Sequence, residues 1–233
     1  MKIGIIGAGM IGGTLARRFA ALGHDVSFAN SRGPDTISGL AAEIGARAVT
    51  ATEAARSGDF VILAIPEKAV VDLPKDLFAG VPASVVVIDA NNYDPARDGR
   101  IAAIEAGQSD SQWVSEQIGR PVVKAFNHIS FMSLRDKGLP KGAAGRLALA
   151  VTGNPPEARA KVVRLLDELG FDAVEGGGLE ESWRHQPGAP AYLGDIEAAP
   201  LKDKLAAADK SQVPAYREAA NDAVKAYFQT PQA

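Results

Sequence analysis

The chain contains no cysteine. That removes disulfides, thiolate nucleophiles and thiolate metal ligands together, and it fits a reducing compartment. Histidine is scarce: three residues, far apart, with no spaced ligand set such as H-E-x-x-H, so no metal is expected. Long apolar runs are missing, since none nears the ~20 residues that a membrane span requires. The opening Met1-Lys2-Ile3-Gly4-Ile5-Ile6 mimics an export signal, but glycines break it and a helical period follows at once. It reads as a buried first strand, and the protein as cytoplasmic. Neither sign of charge dominates: the net charge is -3 and 23% of residues are charged. Lys and Arg are scattered beside Asp and Glu, without the basic clusters that nucleic acid or an anionic membrane would need. Neither is expected as a partner.

What is present is a core. Hydrophobic residues make up 46% of 233, which suits one larger α/β domain or a domain with a small appendage. Short apolar runs alternate with helical patterns. The runs are Lys2–Ile6, Asp25–Ala29, Arg47–Thr50, Asp59–Ile65, Ser84–Asp89, Pro121–Ala125, Arg146–Val151 and Phe171–Val174. They are rich in Val and Ile without clean polar alternation, as strands buried on both faces are. Strands alternating with helices predict a mostly parallel sheet.

Ile11, Leu15, Phe19 and Leu22 fall at helical spacing before Gly23, and Ile37, Leu40 and Ile44 before Gly45. Thr50 and Glu53 form a capping box. Asn154 as N-cap and Pro155 as first helical residue open a helix running through Leu169 to Gly170. Residues 176–192, glycine-rich and aperiodic, are predicted to be a long loop, either functional or mobile. A last amphipathic helix, about 213–228, carries Tyr216, Ala220, Val224, Tyr227 and Phe228. Its apolar face has no evident place in the sheet and predicts a homodimer.

One motif carries chemistry. Gly7-Ala8-Gly9-Met10-Ile11-Gly12 matches G-x-G-x-x-G between a strand and a helix, with a second strand following. Gly7 permits the tight turn, Gly9 lets a pyrophosphate approach the backbone, and Gly12 lets helix and sheet pack closely. The free N–H groups and positive dipole end of the helix then hold phosphates. These features define a Rossmann-type doubly wound α/β fold with a mostly parallel sheet and a small C-terminal extension. Residues 1–125 form its dinucleotide-binding domain, and 126–233 a smaller α/β part that completes the sheet and the substrate cleft.

The end of the second strand selects the cofactor. An NAD site places Asp or Glu there to bond the ribose hydroxyls. This chain reads Phe28-Ala29-Asn30-Ser31-Arg32, with no carboxylate before Asp35. Ser31 can donate a hydroxyl bond to a 2′-phosphate, and Arg32 a bidentate one. Such charge-assisted bonds contribute ~1.5–3 kcal/mol each, so NADP(H) is expected over NAD(H). Ala64-Ile65-Pro66, Asn91-Asn92 and Ala125-Phe126-Asn127-His128 follow later strands, at the carboxyl ends that face the ligand crevice. Ala64, Ile65, Pro66, Asn91, Ala125 and Asn127 are therefore candidates to line the cofactor, and Phe126 and His128 the substrate cleft. Trp183 can stack on a flat ring and Arg184 meet an acidic group. No catalytic side chain is assigned. His24 is read as structural, and Lys124 as a lysine snorkelling from a strand end.

Gly7–Gly12, Asn30-Ser31-Arg32, Ala64-Ile65-Pro66, Val123-Lys124-Ala125-Phe126-Asn127 and Gly170-Phe171-Asp172 together resemble the NADPH-dependent F420 reductase family (NADP oxidoreductase, coenzyme F420-dependent). The same residues resemble the cytosolic NADPH domain of the STEAP metalloreductases. The resemblance spans roughly residues 1–192. Asn30 stands where the family often has a small residue, and the segment 178–188 is like that of a bacterial sub-branch whose members need not meet F420. The resemblance implies hydride transfer between NADPH and a deazaflavin such as F420, with FMN or FAD as other possible acceptors. Ala8, Gly9, Met10 and Ile11 would meet the pyrophosphate, Ser31 and Arg32 the 2′-phosphate, and Ile65 with 125–128 the nicotinamide. Ring-to-ring hydride transfer needs positioning rather than an acid or base. Two alternatives stay open: an NADPH-dependent reductase of a small carbonyl or imine, and an NADPH-sensing module without turnover.

Overall fold

The computed structural model describes residues 1–229, with side chains to Ala226. All eight expected runs form strands: β1 Lys2–Ile6, β2 Asp25–Ala29, β3 Arg47–Ala48, β4 Phe60–Leu63, β5 Val86–Asp89, β6 Val122–Lys124, β7 Ala148–Gly153 and β8 Asp172–Glu175. They make one sheet in the order β3-β2-β1-β4-β5-β6-β7-β8. Every neighbour pair is parallel except β6 and β7. The strand order reverses between β1 and β4, which is the topological switch point where such sheets bind ligands.

The helices are α1 Met10–Ala21, α2 Ser38–Ile44, α3 Ala51–Ala55, α4 Pro95–Asp98, α5 Ala102–Glu105, α6 Asp110–Ile118, α7 Phe131–Asp136, α8 Pro156–Glu168, α9 Ala198–Ala207 and α10 Val213–Gln229. No helix among the described residues is long and apolar enough to cross a membrane.

Both faces of the sheet are apolar. Ile3, Ile5, Phe28, Ile62, Ile88, Val123 and Val151 face α1, α2 and α8, while Ile6, Val61, Leu63, Val87 and Val122 face the layer with Trp113 and Val114 of α6. At ~25 cal/mol per Å² of apolar surface removed from water, this two-sided burial is the main force holding the layers. On β7, Ala148 and Ala150 turn to Leu201 and Leu205 of α9. α8 is tied beneath the strand starts: Lys161 donates to the Ser84 carbonyl at 3.0 Å, and Glu168 pairs with His24 at 2.9 Å. Arg18 of α1 donates to the Leu134 and Leu169 carbonyls and lies over the Phe171 ring, joining the first half of the chain to the second.

The local expectations are corrected in four places. β3 stops at Ala48 because Thr50 is taken as the N-cap of α3, in a complete capping box with Glu53. α8 starts at Pro156, one residue late, with Pro155 extended at its N-cap (φ -78, ψ 171) after a cis peptide from Asn154. A residue before proline is pushed out of the helical region, and here that residue is Pro155 itself. The stretch 176–192 is not an open loop, since its centre is a 3₁₀ helix, Leu179–His185, with Leu179, Ser182, Trp183 and His185 buried. Lys124 does not snorkel. It lies on an interior strand with both faces covered, is fully buried, and meets Asp89.

The terminal helix forms as expected, and Tyr227 and Phe228 lie outside the described side chains. Its start has a berth within the chain: Arg217 lies over the Tyr93 ring, and the Tyr216 carbonyl sits against Gly188. The homodimer expectation therefore rests on the face beyond Tyr216, where Ala220 and Val224 are half-buried.

Candidate functional site

The glycine motif folds as its chemistry requires. Gly7 has φ 124, and a Cβ there would stand 2.1 Å from the Ala64 carbonyl oxygen. A Cβ on Gly12 would stand 1.9 Å from the Gly7 oxygen, so α1 can approach β1 only because position 12 is bare. Gly9 differs. It is the N-cap of α1, no side chain caps it, no acidic residue lies in the first turn, and a Cβ there would meet nothing within 4 Å. The bare N–H end of a twelve-residue helix therefore opens on empty space, the form a phosphate cradle takes. Met10 is 69% exposed beside it.

At the end of β2 the chain makes a side-chain-supported turn. Asn30 Oδ1 accepts from the Arg32 N–H at 3.1 Å, and Asn30 Nδ2 donates to Thr36 Oγ1 at 2.8 Å. Thr36 in turn donates to the Gly33 carbonyl. Ser31 and Arg32 are held at the tip, exposed, and no carboxylate is paired with Arg32 among the described residues. A cation on an ordered turn beside an uncapped helix end suits an adenosine 2′-phosphate, and the residues present fit NADP(H).

Ala64, Ile65 and Pro66 leave the carboxyl end of β4. The Ile65 N–H donates to Asn91 Oδ1 at 2.8 Å, which aligns the ends of β4 and β5, while the Asn91 amide nitrogen is buried without a partner. Behind β6, Ala125 donates to the Asp89 carbonyl, and Phe126 follows with φ 66, a left-handed conformation that costs a non-glycine residue on the order of 1 kcal/mol. Asn127 then donates its side-chain amide to Asn92 Oδ1 at 3.1 Å, and its main-chain carbonyl accepts from Asn92 Nδ2 at 2.8 Å. It also donates to the His185 carbonyl at 2.7 Å and accepts from His185 Nδ1 at 2.9 Å. The other His185 nitrogen meets Thr152 Oγ1 at 3.0 Å. Asn127 thus clamps the 3₁₀ helix 179–185 to the end of β6.

The structure brings Gly7–Gly12, Ala64–Pro66, Asn91 and Ala125 to one edge of the sheet, with the Asn30–Arg32 turn beside them. Phe126 and His128 lie behind it. Phe126 is fully buried in the core, and His128 accepts from the Ala150 N–H at its Nε2. Burial pushes the His128 imidazole down to about 4 and that of His185 well below its usual range, so both are neutral at pH 7. Trp183 is buried under the Arg184 guanidinium, 4.4 Å away. Arg184 donates to Glu181 and to the Leu205 and Ala208 carbonyls.

Sequence reasoning missed a buried charged group beneath this edge. Asp89 Oδ2 accepts from Lys124 at 3.1 Å and from the Ser111 hydroxyl at 2.6 Å, and its Oδ1 from the Asn91 N–H at 3.0 Å. Lys124 also donates to the Asn91 carbonyl at 2.5 Å. Asp89 and Lys124 are direct register partners on β5 and β6. A carboxylate closing one apolar strand and a lysine closing the next was the available signal.

Sheet order, switch point and cradle define a dinucleotide-binding protein of the doubly wound α/β class. Within that class, residues 2–93 match the model of the family "NADP oxidoreductase coenzyme F420-dependent". A hypothetical protein from Sinorhizobium meliloti, SMa0349, is 35% identical in its crystal structure, with a TM-score of 0.63 over 76% of this chain and 85% of that one. The chain belongs to this family. A protein assigned as an F420-dependent NADP-reductase from Arthrobacter sp. FB24 has the same fold, with 24% identity, a TM-score of 0.63, and 76% and 85% coverage. The protein YjhV of Escherichia coli (strain K12) is 43% identical over 74 residues, which are 32% of this chain and 54% of that one. The match thus spans about half the length of that curated relative.

Proposed function

We propose that this protein transfers hydride between NADP(H) and a small flavin- or deazaflavin-type acceptor. The observation that carries the cofactor reading is the β2 end, where a carboxylate-free turn holds Arg32 exposed beside the open Gly9 cradle. The α1 N-terminus would hold the pyrophosphate, and Ser31 with Arg32 the 2′-phosphate. Ala64, Ile65 and Pro66 would supply an apolar wall that excludes water from the reacting ring.

When bound, the nicotinamide supplies or takes the hydride, and the protein has only to position it against the acceptor. The burial of the ionisable groups supports a ring-type acceptor. Reducing a carbonyl needs a proton donor within reach of substrate, whereas His128, His185 and Lys124 are each enclosed by the fold.

Titration of NADPH and NADH against wild type and Arg32→Ala tests the cofactor. NADPH should bind wild type tenfold or more tighter, since a lost charge-assisted bond weakens binding by ~1.5–3 kcal/mol, and Arg32→Ala should remove most of that margin. Equal wild-type affinities would overturn the reading. NADPH oxidation assayed with F420, FMN, FAD, a ferric chelate and a cyclic imine then identifies the acceptor class. Tight NADPH binding without turnover on any of them would favour a sensor instead.

A further inference from the structure

Four ionisable side chains lie fully buried behind the residues that line the crevice: Glu67 in the turn after Pro66, Asp89 at the end of β5, Asp110 opening α6, and Lys124 at the end of β6. They connect to the crevice through Asn91, which takes Lys124 on its carbonyl and the Ile65 N–H on its amide oxygen. Asp89 is saturated with donors, and Asp110 accepts from the Tyr93 N–H at 3.2 Å. Glu67 has no hydrogen-bond partner at either oxygen, and neither has the Asn91 amide nitrogen.

Three carboxyl groups share one buried space with a single ammonium, which disfavours ionising all three. Burial, reinforced by Asp89 and Asp110, pushes Glu67 well up, and burial pushes Asp110 up to about 6. Burial opposes the Lys124 charge, but the three carboxyls outweigh it and raise its pKa. The other charges nearby are largely paired: Arg97 with Asp98 on α4 at 2.8 Å, and Arg217 of α10 with Glu105 at 3.7 Å. His128 and His185 are neutral, and burial raises the Tyr93 and Tyr192 hydroxyls to about 12. Asp89 takes the Lys124 ammonium, which leaves Glu67 and Asp110 as the two buried carboxyls without a paired cation and the ones that burial inclines to keep a proton.

We propose that Glu67 and Asp110 form a redox-linked proton site, which keeps its proton beside a reduced nicotinamide and releases it beside an oxidised one. The inference rests on the reading that this crevice binds NADP(H). The two redox states carry identical phosphates and differ in one ring charge. A cationic ring near these carboxyls favours their ionised form, and a neutral ring does not. The reaction has the matching balance: NADPH, a two-electron acceptor and one proton give NADP⁺ and the reduced acceptor. The hydride carries both electrons to the acceptor, which takes its one proton from solvent; Glu67 and Asp110 give up a proton to solvent as the ring becomes positive and take one back when NADP⁺ departs. Glu67 and Asp110 are positioning residues in this scheme, acting on the ring through its charge.

Proton release on binding is the direct test. NADP⁺ and NADPH are each titrated calorimetrically into the full chain at about pH 6.5, in MES and in imidazole, whose ionisation enthalpies differ. NADP⁺ should release more protons than NADPH. Its affinity relative to NADPH should rise with pH, by about tenfold in all for each pKa unit of coupling. The 2′-phosphate titrates in the same range but cancels in the ratio. Glu67→Gln and Asp110→Asn should each shrink the difference. Equal proton counts for the two nucleotides on wild type overturn the proposal whether or not either variant folds, and so does a difference that both variants leave unchanged. If neither nucleotide binds, the NADP(H) reading itself falls, and the proposal with it.

Discussion

Gly9 and Gly12 stand three residues apart and are bare for different reasons. A Cβ at position 12 has nowhere to go, whereas one at position 9 meets only open space. Gly12→Ala should therefore damage the fold, by about 1–3 kcal/mol as an overpacking change, visible as a lower Tm without any ligand. Gly9→Ala keeps an ordinary backbone conformation (φ -78, ψ -168) and should leave Tm nearly unchanged. Its Kd for NADPH should nonetheless rise about tenfold, because the methyl group occupies the pyrophosphate's approach. Both glycines were legible in the sequence, since motif spacing and chain geometry are the same constraint. The Asp89–Lys124 pair was not. A lysine in an apolar run reads as a strand end until the register of the neighbouring strand sets a carboxylate opposite it.

Among elements, the 3₁₀ helix 179–185 packs behind the end of β6, and Asn127 ties it there through two hydrogen bonds to His185. Asn127→Ala would leave the His185 Nδ1–H and carbonyl and the Asn92 amide oxygen short of partners in a largely buried space. Each unsatisfied buried group costs ~1–3 kcal/mol. The expected result is a clear drop in urea midpoint, with hydrogen exchange accelerating first across 179–185. Uniform acceleration over the sheet would show that the tie is not local. Strands and helix starts were readable because each is a local pattern: Val and Ile runs, a Thr50 capping box, glycine stops. The 176–192 stretch was not, because its order comes from contacts with β6, β7 and α6 rather than from any periodicity of its own. Buried Trp183 and paired Arg184 show the same effect, since nothing local distinguishes them from residues facing a ligand.

The whole molecule balances two kinds of buried group against each other in acid. His128 titrates at about 4 in the fold against 6.5 ordinarily. The unfolded chain holds the extra proton between those values, so this group removes about 3 kcal/mol of stability as pH falls from 6.5 to 4. His185, lowered by burial, pulls in the same direction. Asp110 titrates at about 6 in the fold against 3.8 ordinarily. Here the folded chain holds the extra proton, so the contribution of Asp110 to stability rises as pH falls from 6 to 3.8, and Glu67 acts in the same direction. In wild type the two effects therefore oppose each other as pH falls from 6 to about 4.5. Asp110→Asn keeps an acceptor for the Tyr93 N–H but removes the Asp110 share of the opposing slope, so its Tm should fall more steeply than that of wild type over that range. Parallel pH profiles for the two proteins would contradict this balance.

The turn at Asn30 has a consequence for how the family can change over time. Its side chain sits directly after β2, and its Oδ1 already takes the Arg32 N–H. Aspartate differs there by one heavy atom and retains that acceptor, and its second oxygen can take the Thr36 hydroxyl proton in place of the Gly33 carbonyl, at the loss of one exposed hydrogen bond. It would also bring to the strand end the carboxylate that NAD sites use on the ribose hydroxyls and that repels a 2′-phosphate. Asn30→Asp should therefore shift the NADPH-to-NADH affinity ratio toward NADH with little change in Tm, as paired titrations would show. Asparagine and aspartate codons are one nucleotide apart. Cofactor preference in such a protein is separated from its opposite by a single base change that the fold hardly registers, so lineages can exchange one nucleotide pool for the other without passing through an unstable intermediate.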